Sequence, residues 1–389
     1  MRPVRRTFRR VERACIAKEV SMIPRRALAI SLALILILPL APWPALAASG
    51  TVSTCDWASF DAVYSAAPVG GAITFACFGT ITPPATVAIS SNTVLDGNGN
   101  AVIFDGADSL RLFDVATGAS LELRELTLQR GRAGEGGAVR TAGVLTVVDS
   151  IFRGNSAVST SPLGGAIRGA ESSTISITGS TFEDNRAQGD LNADGGALHT
   201  QGTLTTLTET VFRRNSAGAP SQVEGGALWI DTTGPVDWRG LVFEENQALS
   251  AEGNAYGGAV HFEAVGSPSR LERASFIGNE AVAGPDPVAG LGRDAVGGAL
   301  YQGWTPALET PPRRDLPEQS GPGGAGTTGK GGDALGGAVT FDGDEGLERR
   351  NLTFSGNRAI GGNSVSGVGG KAQGGAVFFY YPQASSTPP

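Results

Sequence analysis

The sequence predicts an all-β fold, a single-stranded right-handed parallel β-helix with an N-terminal cap. Three observations predict it. Gly-Gly-Ala followed by an aliphatic residue begins at Gly136, Gly164, Gly195, Gly225, Gly257, Gly297, Gly336 and Gly374. A second motif, F-x-x-N-x-A, begins at Phe152, Phe182, Phe212, Phe243, Phe276 and Phe354, and each copy follows a Gly-Gly-Ala at a nearly constant offset. The segments between the motifs, such as Val144–Val148 and Thr174–Thr178, alternate and are β-branched, as half-buried strands are. A fixed framework at a steady period is the mark of a solenoid.

Each repeat offers three strand candidates: one after Gly-Gly-Ala, one in the middle, and one carrying Phe. Three short strands in ~30 residues suit a parallel β-helix better than a propeller, whose blades need about 40 residues. Helices are disfavoured by 57 glycines and by the lack of a sustained 3.6-residue period. The first glycine of each motif suits a sharp corner with positive φ. Ala138 and its equivalents are small enough to face inward there. Phe152, Phe182, Phe212, Phe243, Phe276 and Phe354 are expected to stack inside. Asn155, Asn185, Asn215, Asn246, Asn279 and Asn357 are expected to form a coil-to-coil amide ladder at another turn, since Asn tolerates tight backbone and stacked amides can pair. The interval from Phe276 to Phe354 is twice the spacing of the neighbouring Gly-Gly-Ala motifs, so one F-x-x-N copy is missing between Gly297 and Gly336.

The flanks read differently. Arg25 and Arg26, an apolar run from Ala27 to Leu38 and then Ala45-Leu46-Ala47 match a secretory signal, too short for a membrane span. Residues 1–47 are assigned to it, with Met22 a candidate start; an uncleaved signal anchor is the alternative. Residues 48–130 are expected to form a cap and about three irregular coils, with Asp56–Ala66 a short capping helix. The repeats occupy 131–380 and a tail 381–389. About ten coils at ~4.8 Å each make ~50 Å of stacked strand. An N-terminal cap is needed because an open end templates aggregation.

The first 47 residues hold 9 of the 30 Lys and Arg and 2 of the 37 Asp and Glu, leaving 21 basic and 35 acidic residues, a net of −14. Nucleic acid is therefore not an expected partner. Cys15 falls in the leader. Cys55 and Cys77, 22 residues apart in an exported chain, suggest one disulfide, worth ~3 kcal/mol on a chain-entropy account.

Candidate chemistry is sparse. Asp105, Asp108, Asp149, Asp184, Asp190, Asp194, Glu244, Glu245, Asp286 and Asp294 are scattered along the chain. Glu244-Glu245 occupies the x-x positions of F-x-x-N, where other copies carry Arg153-Gly154 or Arg213-Arg214, and reads as a solvated face. His199 and His261, the only histidines, fall in equivalent strands two repeats apart, ~10 Å by coil spacing, too far to share a metal. The aromatics Trp229, Trp238, Tyr256, Trp304, Tyr380 and Tyr381 could stack on sugars, but core or loop packing is the plainer reading. No catalytic residue, cofactor or metal ligand is expected.

The pairing of Gly-Gly-Ala-aliphatic with F-x-x-N resembles the repeat of the polymorphic outer membrane protein family from about Gly136 to Phe378. That family comprises surface autotransporters with a β-helical passenger. More broadly the chain is similar to extracellular β-helix proteins of the pectin-lyase-like fold, and Leu95-Asp-Gly-Asn-Gly99 is similar to an early coil of many of them. The resemblance implies the fold and an adhesive surface role. The family's membrane barrel has no counterpart before Pro389, so self-translocation and outer-membrane anchoring are not expected to carry over.

The expectation is a monomeric, non-catalytic secreted or cell-surface protein that binds a surface protein or glycan, with no transmembrane span in the mature chain. Its binding loops are expected at residues 282–296, 303–335 and 360–373, where the repeat departs from its own rule. The alternative is a polysaccharide lyase or glycoside hydrolase with a groove along the strands.

Overall fold

The computed structural model describes residues 50–67, 70–285, 292–303, 333–342, 347–361, 372–373 and 377–380. The signal segment, the tail, residues 286–291, 304–332 and 362–371 of the three lengthened loops, and with them Asp286, Trp304 and Tyr381, lie outside the described residues, as does the last Gly-Gly-Ala. The described residues form a parallel β-helix. Their strand ladders are parallel throughout and join a 25-stranded sheet, a seven-stranded sheet and a six-stranded sheet. An isolated bridge between Pro285 and Gly292 is antiparallel and lies outside these ladders.

The large sheet wraps three faces. In one coil these are Val139–Thr141 after Gly-Gly-Ala, Val144–Val148 in the middle, and Ile151–Arg153 with the Phe. Like stacks on like: Val139 pairs with Ile167, Leu145 with Ile175, and Phe152 with Phe182. Alternation then sends Leu145, Val147 and Phe152 into the core, as the two-residue period of a strand requires. Trp238 takes the place of an aliphatic residue, stacking between Leu207 and Leu271 fully inside.

The repeat carries two strand segments beyond the three expected. One follows the Asn, as in Ser156–Ser159, and builds the seven-stranded sheet. The other precedes Gly-Gly-Ala, as in Asn192–Asp194, and builds the six-stranded sheet. They enclose a second, smaller core of Ala187, Ala193, Ala217, Val223, Ala248, Ala255, Ala281 and Ala295, among others. These segments are short and rich in Ala, Ser and Gly, which have little β-propensity, so no strand pattern marks them. They also account for the repeat length. On the middle face, Ile73, Leu95, Leu123 and Val147 are successive partners. The coils between them are shorter than those that run from Val147 to Ile177 and from Ile177 to Leu207, where the alanine-lined lobe has been added.

Gly225 and Gly226 show why the corner needs two glycines. Gly225 has φ of 65°, the left-handed region that a side chain disfavours. A Cβ on Gly226 would run into the carbonyl of Gly258 in the next coil and the backbone of Gln247. The second glycine is thus the waist between the two cores, where the corner passes against the segment after Asn.

The Phe and Asn residues form two continuous columns. Ring centroids are 4.7 Å apart for Phe152–Phe182, 4.9 Å for Phe182–Phe212, 5.1 Å for Phe212–Phe243, 4.8 Å for Phe243–Phe276 and 5.0 Å for Phe276–Phe354, all nearly parallel. Each Asn Nδ2 donates to the Oδ1 of the next: Asn155 to Asn185 at 3.0 Å, Asn185 to Asn215 at 2.9 Å, Asn215 to Asn246 at 3.0 Å, Asn246 to Asn279 at 2.9 Å and Asn279 to Asn357 at 2.9 Å. Each also donates to the carbonyl of the residue in the Phe position one coil earlier. Neither column breaks at the doubled interval. Phe354 and Asn357 sit directly on Phe276 and Asn279, while the strands at Leu300 and Val339 stack only on the Gly-Gly-Ala face.

The N-terminal end is closed by a helix, Trp57–Ala66, capped by Asp56, whose carboxylate accepts from Ser59 N–H at 2.7 Å. Its Phe60 is buried against Phe75 and Phe104 of the first coils. Cys55 and Cys77 are joined in a disulfide, tying the start of the helix to the first coils.

Asn215→Ala removes two acceptor contacts used by Asn185 and leaves the Phe182 carbonyl without its amide. The expected loss is about 3 kcal/mol or more, read as a melting temperature lowered by several degrees. An unchanged transition would show that the amide column contributes nothing.

Candidate functional site

The strand after Gly-Gly-Ala turns its flanking residues inward, so its middle residue faces out. In successive coils these outward residues are Arg140, Arg168, His199, Trp229, His261 and Tyr301, in register. The residue just before Gly-Gly lies on the six-stranded sheet or at its edge: Glu135, Asp194, Glu224 and Tyr256, the last three also in register. The positive-φ glycine between them folds the two rows toward each other, outside the main core. Contacts across the corner follow. Glu135 pairs with Arg140 at 3.1 Å and Arg168 at 3.6 Å, and Trp229 Nε1 donates to Glu224 Oε2 at 2.6 Å.

The row changes character along the stack. The early coils carry paired charges, with Arg111 and Arg140 also on Asp114. The middle carries an aromatic step, His199 parallel to Trp229 at 4.1 Å. Burial, with the Arg168 charge adding to it, holds His199 well below the usual imidazole range, so its ring is neutral. Next comes His261, whose ring is 2% exposed. Its Nδ1 is 3.3 Å from Glu224 Oε2 and its Nε2 is 3.2 Å from Glu263 Oε2. Tyr256 and Tyr301 wall the ring at centroid distances of 6.0 and 4.9 Å.

Burial opposes a charge on His261, but Glu224, Glu263 and Asp194 outweigh it and raise its pKa. Asp194 sits one coil below Glu224. Burial, then the charges of Glu224 and Glu263, push its carboxyl up to about 8, with His261 acting in the opposite sense. Glu224, His261 and Glu263 each offer one ligand atom within 4.8 Å of the others, the closest approach to a metal-binding group among the described residues.

A second feature is a cleft of about 930 Å³ on the middle face, lined by Thr203, Thr205, Asp237, Arg239, Arg270 and Glu348 among others. Asp237 pairs with Arg239 at 2.7 Å, and Glu348 with Arg270 at 3.4 Å.

The residues that the sequence singles out take other parts. The Phe and Asn columns are internal, and Cys55 and Cys77 serve the cap. Of the scattered acids, Asp105 is held by Arg130 at 2.6 Å and Asp184 by Arg214 at 2.9 Å, whereas Asp194 joins the His261 cluster. His199 and His261 lie on one face with Trp229 between them. Glu224 and Glu263 escape notice in the sequence. Two signals mark them: Glu224 shares the position before Gly-Gly with Glu135, and His261-Phe262-Glu263 puts two polar groups on one side of a strand.

No known protein family matches this chain, and no curated protein does either. No helix among the described residues is long and apolar enough to cross a membrane.

Asp194 generates a pH prediction. Its folded pKa lies above the unfolded value, ~3.9, so its protonated form favours the fold at low pH and that contribution is lost as pH rises toward 8. Asp194→Asn is therefore expected to match wild type in melting temperature near pH 4 and to exceed it near pH 8. A gap that does not grow with pH would contradict the assignment.

Proposed function

We propose that the protein is a secreted or cell-surface β-helix that binds a glycan or surface protein along its outer faces without transforming it. The observation that carries this reading is the chemistry of the middle-face cleft. Its two carboxylates, Asp237 and Glu348, are each engaged by a guanidinium group, beside the hydroxyls of Thr203 and Thr205. Glycoside hydrolysis needs a pair of carboxylates acting as acid and base or nucleophile. Paired charges and hydroxyls instead present donors and acceptors in a fixed array, which suits recognition of a hydroxyl- and carboxylate-rich glycan.

Export is supported by the leader and by the Cys55–Cys77 disulfide, a bond that persists in oxidising compartments. The resemblance of the repeats to those of polymorphic outer membrane proteins supports a surface-binding role. The lengthened loops at 282–296, 303–335 and 360–373 are proposed to add contacts to the same partner.

Binding is tested on glycan arrays and by pull-down from intact cells. Arg239→Ala combined with Arg270→Ala is expected to weaken the captured interaction by roughly tenfold or more, the value of a lost charged hydrogen bond. No binding in either assay counts against the reading. Product release from uronic-acid polysaccharides with calcium would replace it with the lyase or hydrolase alternative.

A further inference from the structure

We propose that Glu224, His261 and Glu263 bind a single divalent transition ion of the zinc class. The site lies on the Gly-Gly-Ala face, apart from the cleft on the middle face, and the inference does not rest on the binding reading.

Each residue supplies one ligand atom, and all three atoms lie within 4.8 Å of one another. The ring nitrogens stand 3.3 and 3.2 Å from carboxylate oxygens, yet neither nitrogen closes an aligned hydrogen bond. Buried polar atoms are nearly always paired: the protonated ring pairs with the two carboxylates as ions, and the neutral ring offers a lone pair to a bound cation. Zinc–nitrogen and zinc–oxygen bonds of about 2.0–2.2 Å put two ligands of one ion roughly 3.0–3.4 Å apart. An ion bound to one ring nitrogen has a carboxylate oxygen at that ligand-to-ligand spacing, and the second carboxylate lies within the same 4.8 Å group.

The His261 ring is 2% exposed and the Glu224 side chain 13%, whereas the Glu263 side chain is 55% exposed. The site thus has a buried, fixed floor and one ligand at the rim through which an ion can enter. Glu224 is held by the Trp229 indole N–H at 2.6 Å, a contact that fixes a ligating carboxylate. The parts come from two places in the chain: the segment before Gly225 and the strand after Gly257. An ion there clamps one coil to the next. Imidazole selects zinc-like ions over calcium and magnesium, which prefer all-oxygen sites. Three protein ligands leave a position for water or an external donor.

The test uses the full-length secreted chain, treated with chelator and then titrated with Zn²⁺ by calorimetry and with Co²⁺ by visible absorption. The expected result is one ion per chain, with a cobalt spectrum of nitrogen and oxygen ligation. Glu263→Gln alters only an exposed side chain and should keep the wild-type circular dichroism spectrum while weakening zinc at least about tenfold. His261→Ala should abolish saturable binding. The proposal is overturned if wild type binds no zinc, if both variants bind it as wild type does, or if Ca²⁺ binds wild type and His261→Ala as tightly as Zn²⁺ binds wild type.

Discussion

The buried asparagine column is the constraint on which the repeat framework depends. A side-chain amide inside a solenoid must have both of its hydrogens and its oxygen satisfied. Here that is possible only if the next coil places another amide directly above. Asn215 illustrates it: its oxygen takes the backbone and side-chain N–H of Asn185, and its nitrogen serves Asn246 and the Phe182 carbonyl. A coil that slipped by one residue would leave several buried polar groups unpaired. The column therefore sets the register, and the Phe rings, each three positions before its Asn, stack as a consequence. It starts where Gly131 N–H meets the oxygen of Asn155 at 2.9 Å, at the onset of the longer coils.

The same constraint explains how the chain tolerates a long insertion. Between Phe276 and Phe354 the amide and ring columns continue without a gap, so the intervening residues add no layer to either. The added strands at Leu300 and Val339 extend the Gly-Gly-Ala face, where backbone ladders and apolar side chains in the main core hold the stack.

Two cores in one coil have a functional consequence. The glycine waist brings the segment before Gly-Gly alongside the outward residues of the following strand. Polar side chains at the resulting inside corner are buried without entering either core. Those positions are free of the demands of the Phe and Asn columns, so their identity changes from coil to coil. Arg and Glu pair in the early coils, His199 stacks on Trp229 in the middle, and Glu224 and Glu263 flank His261 further along. Repetition thus supplies the frame, and one corner of it supplies the variation.

What the sequence by itself determined is the architecture. The phased motifs, the β-branched alternation and the doubled glycines specify a parallel β-helix, because each is a local requirement repeated at a fixed interval. The stacked Phe and Asn columns were legible for the same reason, whereas the helix after Asp56 and the Cys55–Cys77 pair occur once and were read from their own short segments. The alanine-lined lobe was not, since short runs of Ala and Ser carry no period that distinguishes strand from loop. Nor was the grouping of Asp194, Glu224, His261 and Glu263. Residues a whole coil apart in the chain become neighbours at ~4.8 Å only once the coils are in register. That register is set by buried amides elsewhere in the repeat, and so the site belongs to the tertiary structure alone.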